Sequence, residues 1–541
     1  MLERILQTIL CGMITSLVSS ALVSAKVAAY SPDGLAEEPT KLNAADAASL
    51  DFFGYSVSVH RDTAIVGAPQ DDDGGTNSGS AYVFERDPGG SNAWMEVAKL
   101  TAADAESEDW FGVSVALYVD TAVVGAYLSD DAGDWSGSAY IFERDHGGPN
   151  TWGQVAKLTT SDAFLHDFFG YAVAISGDTV LIGAAGNDDL GSGSGSAYIF
   201  ERHHGGPSAW GQAAKLLAME GVAGDKFGFS VSISNDTAII GAEQGDAGIA
   251  SGSAFIFERN HGGPGAWGQV ARLKASDAAS IDKFGGSVVI YGDMAVVGAW
   301  DRSFAGSGSA YVFERHHGGS NIWGEVAKLI PDDGVPGDRY GTAVALYGDT
   351  VIVGSPDTPN GTAYVYQRDS GGPTSWGQIA RVNAADTAPG DQFGKRISLN
   401  GSTAFFGAPT DDDAGTGGSI FIGELDPIPS PVLLNDPLIP GDILEFKASG
   451  ARPGERVLFL ASLVGLGPGP CYPRLGGLCV DILEPSPIGR ATADASGIAA
   501  LTRTLPARII VGQEVSTQAV IRRGPGDIDS VKTNTTTATV E

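Results

Sequence analysis

Short apolar runs recur along most of this chain, each bounded by Gly, Asn, Asp or Ser. Val57-Ser58-Val59 alternates apolar with small polar residues. Ala64-Ile65-Val66 and Ala81-Tyr82-Val83-Phe84 follow, and Trp94 then leads into Val97-Ala98-Lys99-Leu100. Tight turns separate the runs: Gly177-Asp178-Thr179 and Gly348-Asp349-Thr350 suit two-residue hairpins, which need residues tolerant of positive φ. A period of two with turn punctuation, and no stretch of helical period, predicts four-stranded antiparallel sheets.

The pattern repeats. An aromatic-Gly pair stands at Phe53, Phe111, Phe169, Phe227, Phe284, Tyr340 and Phe393, at steps of 58, 58, 58, 57, 56 and 53. From that aromatic to the glycine of the next Val/Ile/Phe-Gly-Ala/Ser (Gly67, Gly125, Gly183, Gly241, Gly298, Gly354, Gly407) the distance is always 14. Six complete copies keep 15 residues from the Gly-Ser/Thr-Ala glycine to the Trp, and 17 from the Trp to the next aromatic-Gly. All length variation therefore falls between the second and third strands, the mark of a surface loop between elements held in register. Seven four-stranded sheets in succession close into a ring without long free edges, a seven-bladed β-propeller over residues 37–425. The seventh copy stops after Ile420-Phe421-Ile422, whereas Thr40-Lys41-Leu42 stands before Phe53 as Lys99-Leu100 stands before Phe111. The N-terminal segment is thus expected to supply the missing strand and latch the ring.

Phe53-Gly54 with Val66-Gly67-Ala68-Pro69, and Phe393-Gly394 with Phe406-Gly407-Ala408-Pro409, resemble the FG-GAP repeats of integrin α-subunit propellers, and more closely those of bacterial extracellular FG-GAP proteins. The resemblance implies extracellular binding or adhesion. Integrin-type repeats carry calcium ligands in a long loop between the first two strands. Here that loop is only His60-Arg61-Asp62, too short to wrap an ion that takes six to eight oxygens. No calcium ligand transfers from that family.

Acids repeat in two registers. Asp51, Asp109, Asp167, Asp225, Asp282, Asp338 and Asp391 lie two residues before each aromatic, and Asp46, Asp104, Asp162, Glu220, Asp277, Asp333 and Asp386 five residues earlier. Sevenfold repetition favours a structural role, the carboxylate accepting backbone N–H bonds in the inter-blade turn.

The variable loop is more individual. Asp71-Asp72-Asp73, Asp130-Asp131, Asn187-Asp188-Asp189 and Asp411-Asp412-Asp413 fill it in blades one, two, three and seven, against single acids at Asp246, Asp301 and Asp357 in the others. The residue before the aromatic also changes: Phe52, Trp110, Phe168, Lys226, Lys283, Arg339, Gln392. Together with Trp135 and Trp300, these residues predict one polarised face, acidic and aromatic over blades seven to three and basic over four to six. Candidate ligand-binding residues are Trp110, Trp135, Trp300, Asp71, Asp73, Asp130, Asp188, Lys226, Lys283 and Arg339. Calcium is the one cofactor expected, held by Asp71, Asp73, Asp130, Asp131, Asp188, Asp189, Asp411 and Asp413. Six histidines (His146, His203, His204, His261, His316, His317) fall in the turn between strands three and four, one or two per blade, too dispersed to converge on zinc.

Outside the repeats, residues 1–25 read as a signal peptide. Arg4 starts it, Ile5 to Val23 are uncharged, and Val23-Ser24-Ala25 offers small residues for cleavage. Residues 426–431, with three prolines, read as a linker. The short β runs of 432–541 predict a small immunoglobulin-like sandwich, with Cys471 and Cys479 joined as a disulfide in an exported protein. That segment holds ten Lys/Arg and eleven Asp/Glu, so almost the whole net charge of −32 falls on the repeats. Such a surface repels nucleic acid and acidic lipid.

No Ser/His/Asp set, phosphate-cradling Gly loop or Cys–His pair is present. The expected protein is a monomer, secreted or held at the cell surface or in the periplasm, with no membrane insertion after cleavage. It binds an extracellular protein or polysaccharide without catalysis. A calcium-stabilised envelope component and a carbohydrate-active lyase or hydrolase are the alternatives.

Overall fold

The computed structural model describes residues 38–425 apart from 88–92, 205, 246–250, 301–305, 318, 369, 371–374 and 414–416, and beyond them the backbone of ten strands between 433 and 539. The expected signal peptide, the linker, Asp246 and Asp301 lie outside the described residues.

Residues 40–425 form seven four-stranded antiparallel sheets. Blade one is typical: Ser56–His60, Thr63–Ala68, Ser80–Arg86 and Trp94–Leu100 pair in that order. Blade seven is built from Arg396–Asn400, Thr403–Ala408, Ser419–Glu424 and the N-terminal Thr40–Leu42. Thr40 pairs with Ile422, Lys41 with Phe421 and Leu42 with Ile420, so the latch expected from the spacing is present.

Each core cluster lies between two neighbouring blades. Ile65, Ala81 and Val83 of blade one, for example, pack against Phe111, Val124 and Tyr140 of blade two. The second strand is buried along its whole length in blade one (Thr63–Ala68) and in five others, which explains its unbroken apolar run. The aromatic of each aromatic-Gly pair stands edge-on to the third-strand aromatic of its own blade; Phe53 and Tyr82 have centroids 5.5 Å apart.

On the face of the histidine turns, one motif repeats. Arg144 of blade two pairs with Glu85 of blade one while lying over Trp152 of its own blade, 5.1 Å from the ring. Arg86, Arg202, Arg259, Arg315 and Arg368 do the same with Glu424, Glu143, Glu201, Glu258 and Glu314. The Nδ1 atoms of His203 and His316 accept backbone N–H bonds from Ser208 and Asn321, as turn caps.

Beyond the propeller, Leu433–Asn435, Ile443–Ala448 and Ala499–Thr504 form one sheet. Arg456–Ser462, Ser486–Thr492, Glu514–Arg522, Val531–Lys532 and Thr536–Thr539 form another. Cys471–Tyr472 pairs with Leu478–Cys479, with Cys471 opposite Cys479 in the register.

Candidate functional site

The inter-blade connections and the loops between strands two and three share one face. Backbone bonds tie them together: Phe111 N–H donates to Ser78 O (2.9 Å), Phe169 N–H to Ser136 O (3.0 Å), and Phe53 N–H to Gly417 O across the closure (2.7 Å). Within each connection, the Asp two residues before the aromatic accepts a backbone N–H from three residues earlier. Ala48 donates to Asp51 at 2.7 Å and Ala388 to Asp391 at 2.6 Å, and the other five blades match. The structural role expected of these acids holds in all seven.

The loop acids are also engaged. Lys99 of the fourth strand reaches Asp46 (2.7 Å), Asp71 (3.0 Å) and Asp73. Lys157 bridges Asp104 and Asp131, and Lys215 bridges Asp162 and Asp189. Lys41 joins Asp386, Asp411 and Asp413. Asp130 and Asp188 instead accept the N–H groups of Trp135 and Gly193, both at 2.7 Å, and shape their own loops.

These ion pairs weigh against calcium at one of the expected places. Carboxylate oxygens of Asp46, Asp71 and Asp73 do converge within 4.8 Å of one another, but the Lys99 ammonium already stands among them. Asp71 also accepts the Tyr82 hydroxyl at 2.7 Å. Three oxygens around an ammonium do not fit an ion that requires six to eight. Adding calcium or EDTA is therefore expected to leave the thermal unfolding midpoint unchanged; a calcium-dependent rise that Asp71→Asn removes would restore the metal site.

Two classes of acid give the stability a definite pH profile. Burial pushes the carboxyls of Asp51 and Asp109 up to about 6 from 3.8. Burial also acts against Asp46, Asp131 and Asp162, but Lys99, Lys157 and Lys215 outweigh it and hold these three below the usual carboxylate range. The raised pair binds protons more tightly when folded, so its effect is to make stability fall as pH rises from about 4 to 6. The lowered group contributes stability above about 3.8 that is lost on further acidification. Melting curves should therefore show a midpoint that climbs from pH 7 down to about 4.5 and drops below about 3.5. A monotonic decline from pH 7 would contradict it.

Backbone geometry sets one position of each connection apart. Phe52, Trp110, Phe168, Lys226, Lys283, Arg339 and Gln392, each just before an aromatic-Gly, all have φ between 52° and 60°. That left-handed region costs a side-chain-bearing residue about 1–2 kcal/mol. Two positions earlier, where φ is also positive, three of the seven residues are glycine (Gly224, Gly337, Gly390). None of the seven immediately before the aromatic is glycine, so each carries a side chain in spite of that backbone cost.

Those side chains do not divide as the sequence suggested. Lys283 is buried, 3.4 Å from the buried Glu243 carboxylate, and offers no surface charge. Lys226 is more exposed and lies 3.9 Å from the same carboxylate. Arg339 pairs with Asp357 at 3.0 Å and lies over the Trp300 ring at 5.6 Å. Trp110 stands edge-on to Tyr127, and Trp135 stacks with Phe168 beside His166. Trp135 is 45% exposed, and Phe164, in the same connection as Trp135's ring partners His166 and Phe168, is 65% exposed, which leaves aromatic surface on blades two and three. The acidic sector is thus largely neutralised by lysines, and the basic one extends into blade seven.

At the axis this face opens into a cavity of about 370 Å³. Six valines, from Val57 to Val344, and Ile397 form a collar between it and a second compartment of about 250 Å³ further along the axis. Around the upper cavity stand Tyr171, Phe229, Trp300, Arg339, Lys395 and Arg396. Tyr171 and Phe229 lie 5.0 Å apart, and Arg396 lies 5.3 Å over the Tyr55 ring. Gly286 makes room for Trp300: a Cβ there would meet the indole nitrogen at 2.5 Å. The sequence reading missed Tyr171, Phe229, Lys395 and Glu243. Aligning the residue just after aromatic-Gly (Tyr55, Val113, Tyr171, Phe229, Gly286, Thr342, Lys395) exposes the same blade-to-blade variation.

Fold and site together define a closed seven-bladed propeller with one invariant and one individualised face. The FG-GAP repeat model matches residues 37–84, 94–142, 152–200, 210–257, 267–313, 323–366 and 376–423, more than half of the sequence, and the chain belongs to the FG-GAP repeat family. Each matched unit begins on the outer strand of one blade and ends on the third strand of the next, so the sequence repeat is offset by one strand from the blade.

No curated protein matches the chain. Among solved structures it is similar to a fungal alcohol oxidase of the AA5 family in complex with copper, at 11% identity over 93% of this chain and 99% of that one, with TM-score 0.44. It is also similar to Sqt1 from Chaetomium thermophilum (12%, 66% and 80%, TM-score 0.39) and to the WD40 domain of Toxoplasma gondii coronin (8%, 73% and 89%, TM-score 0.42). Likeness at this level says nothing about this chain's chemistry.

Proposed function

We propose that this protein is exported and recognises an extracellular protein or polysaccharide, without transforming it, through the face carrying the inter-blade connections. The supporting observation is the contrast between its two faces. One repeats the same arginine–tryptophan–glutamate motif in six blades, while the other holds different side chains at equivalent positions in strained backbone. In this reading residues 1–25 direct export, residues 432–541 form an immunoglobulin-like sandwich, and Cys471 and Cys479 are bridged. The opposed register of the two cysteines suits that bridge.

A glycan array and surface-protein capture with the full secreted chain test the proposal. Trp135→Ser with Phe164→Ser should abolish capture, whereas His204→Ala with His317→Ala on the other face should not. The reverse pattern would sink the assignment of the face.

A second reading has its own support. Single-copy Arg339, Lys395 and Arg396 gather at the axial mouth, where a carbohydrate-active lyase or hydrolase would place its groups. Incubation with polysaccharides separates the two: a binder leaves chain lengths unchanged, and an enzyme shortens them.

A further inference from the structure

The axial mouth carries a more specific reading. Lys395 and Arg396 project from adjacent positions at the start of the first strand of blade seven. Among the described residues, neither has a carboxylate at ion-pair distance. The Lys395 ammonium donates only to the Gln392 side-chain oxygen, at 3.0 Å. Arg396 donates to the Lys395 carbonyl at 3.0 Å and lies over Tyr55. Burial, reinforced by Arg396 and Arg339 and only partly offset by the Asp357 carboxylate, brings the Lys395 amine down to about 8 from 10.5, so Lys395 and Arg396 stand in the cavity without an ion-paired carboxylate among the described residues. Nearly every other cation at strand ends and loops of this acidic chain is paired to a carboxylate, as Lys41, Lys99, Lys157 and Lys215 are.

The opposite wall differs. Tyr171, Phe229 and Trp300 line it with aromatic rings, the surface on which a sugar ring stacks through its C–H face. The cavity's volume lies at the lower end of ligand-pocket sizes. Lys395 and Arg396, without an ion-paired carboxylate among the described residues, on one side and aromatics on the other, above an aliphatic collar, fit a small ligand with a flat apolar face and a carboxylate. The rest of the propeller carries most of the chain's −32 charge and repels a long polyanion. The site therefore suits a short acidic oligosaccharide or the end of a chain.

We infer that the axial cavity binds a carboxylate-bearing saccharide, its carboxylate held by Lys395 and Arg396 and its sugar ring set against Tyr171, Phe229 and Trp300. The inference rests on the recognition role proposed above and names the ligand class of that face.

Titration calorimetry of the full chain with trigalacturonate, and with its methyl ester, tests it. The free acid should bind at least about tenfold more tightly than the ester, because only the acid presents charge-assisted acceptors. Arg396→Gln and Trp300→Ala should each weaken trigalacturonate binding by about tenfold or more. Lys274→Gln, which lies outside the cavity, should leave it unchanged. A carboxylate against Lys395 favours its protonated form, so binding at pH 8 should take up protons, read as an enthalpy that changes with the buffer's ionisation heat; at pH 6 it should not. That measurement needs no variant.

Equal affinity for acid and ester, or no proton uptake at pH 8, would overturn the assignment. So would the absence of binding across trimers of galacturonate, mannuronate, guluronate and glucuronate. Partner capture through Trp135 and Phe164 is read separately, so the recognition role can survive this failure. Appearance of an unsaturated uronate during titration would support the ligand class and replace the binding role with a lyase.

Discussion

Removing Glu38–Asn43 should bring the whole propeller close to unfolding. Those few residues supply the outer strand of blade seven, paired to Ile420–Ile422, and their loss leaves that blade with three strands and an open edge. The Asp411 side chain, fully buried, loses the Lys41 ammonium that lies 2.7 Å from it. Stranding one partner of a buried pair costs about 3–5 kcal/mol. Asn43 also donates to Gly418 O (3.0 Å) and Ser419 Oγ (2.8 Å), bonds worth about 1 kcal/mol each. The sum is comparable with the roughly 5–15 kcal/mol of stability that a domain has in total. Each blade packs only on its neighbours, so an unzipped seventh blade exposes both adjoining interfaces. Calorimetry should show the propeller transition shifted well down, and a peptide of residues 38–44 added in trans should recover part of the loss. An unchanged midpoint would mean that the ring closes by some other contact.

Gly183→Ala should be among the most damaging single substitutions of a small residue. The glycine of each Gly-Ala pair lies against the backbone of the next blade, and a Cβ on Gly183 would stand 1.9 Å from Gly228 O. Gly67, Gly125 and Gly241 meet the equivalent oxygen at 1.9–2.0 Å. Nothing flexible is available to yield, because the obstructing atom is main chain at the centre of a blade interface. Overpacking in a core costs about 1–3 kcal/mol when side chains can adjust, and here the expected loss is at or above that range. Gly177→Asn is the control. Gly177 has φ +59° with nothing near its missing Cβ, and Asn235 occupies the same place in blade four at φ 53°. That substitution should change stability by less than about 0.5 kcal/mol. If the two variants melt alike, the close approach of blades is not what requires the glycine.

Much of this architecture was legible in the chain because its causes are local or repeated. An invariant distance of 14 residues between Phe53 and Gly67, kept seven times, follows from a strand pair whose glycine must meet the following blade. The Asp51 carboxylate could be placed because its partner, the Ala48 N–H, is three residues away. The latch could be placed because an incomplete last copy and an isolated first strand are complementary by count. The partners of the loop acids were not legible, for the opposite reason. Asp71 reads as a free carboxylate in sequence, but its cation is Lys99, 28 residues away and on another strand.

By itself, then, the sequence determined the number of blades, the strand ends, the loop that varies and the segment that closes the ring. Repetition writes each of these several times over, and backbone pairing enforces it. Only the tertiary structure decided which charges remain available. The register that sets Tyr82 opposite Lys99 hands that lysine to Asp46, Asp71 and Asp73, and the same geometry buries Lys283 against Glu243. Ring closure then brings Tyr171, Phe229, Trp300, Arg339, Lys395 and Arg396 from five blades to one axis. A charge is neutralised by whatever lies within a few ångströms, and for residues on different blades that neighbour is fixed by the closed ring, not by distance along the chain.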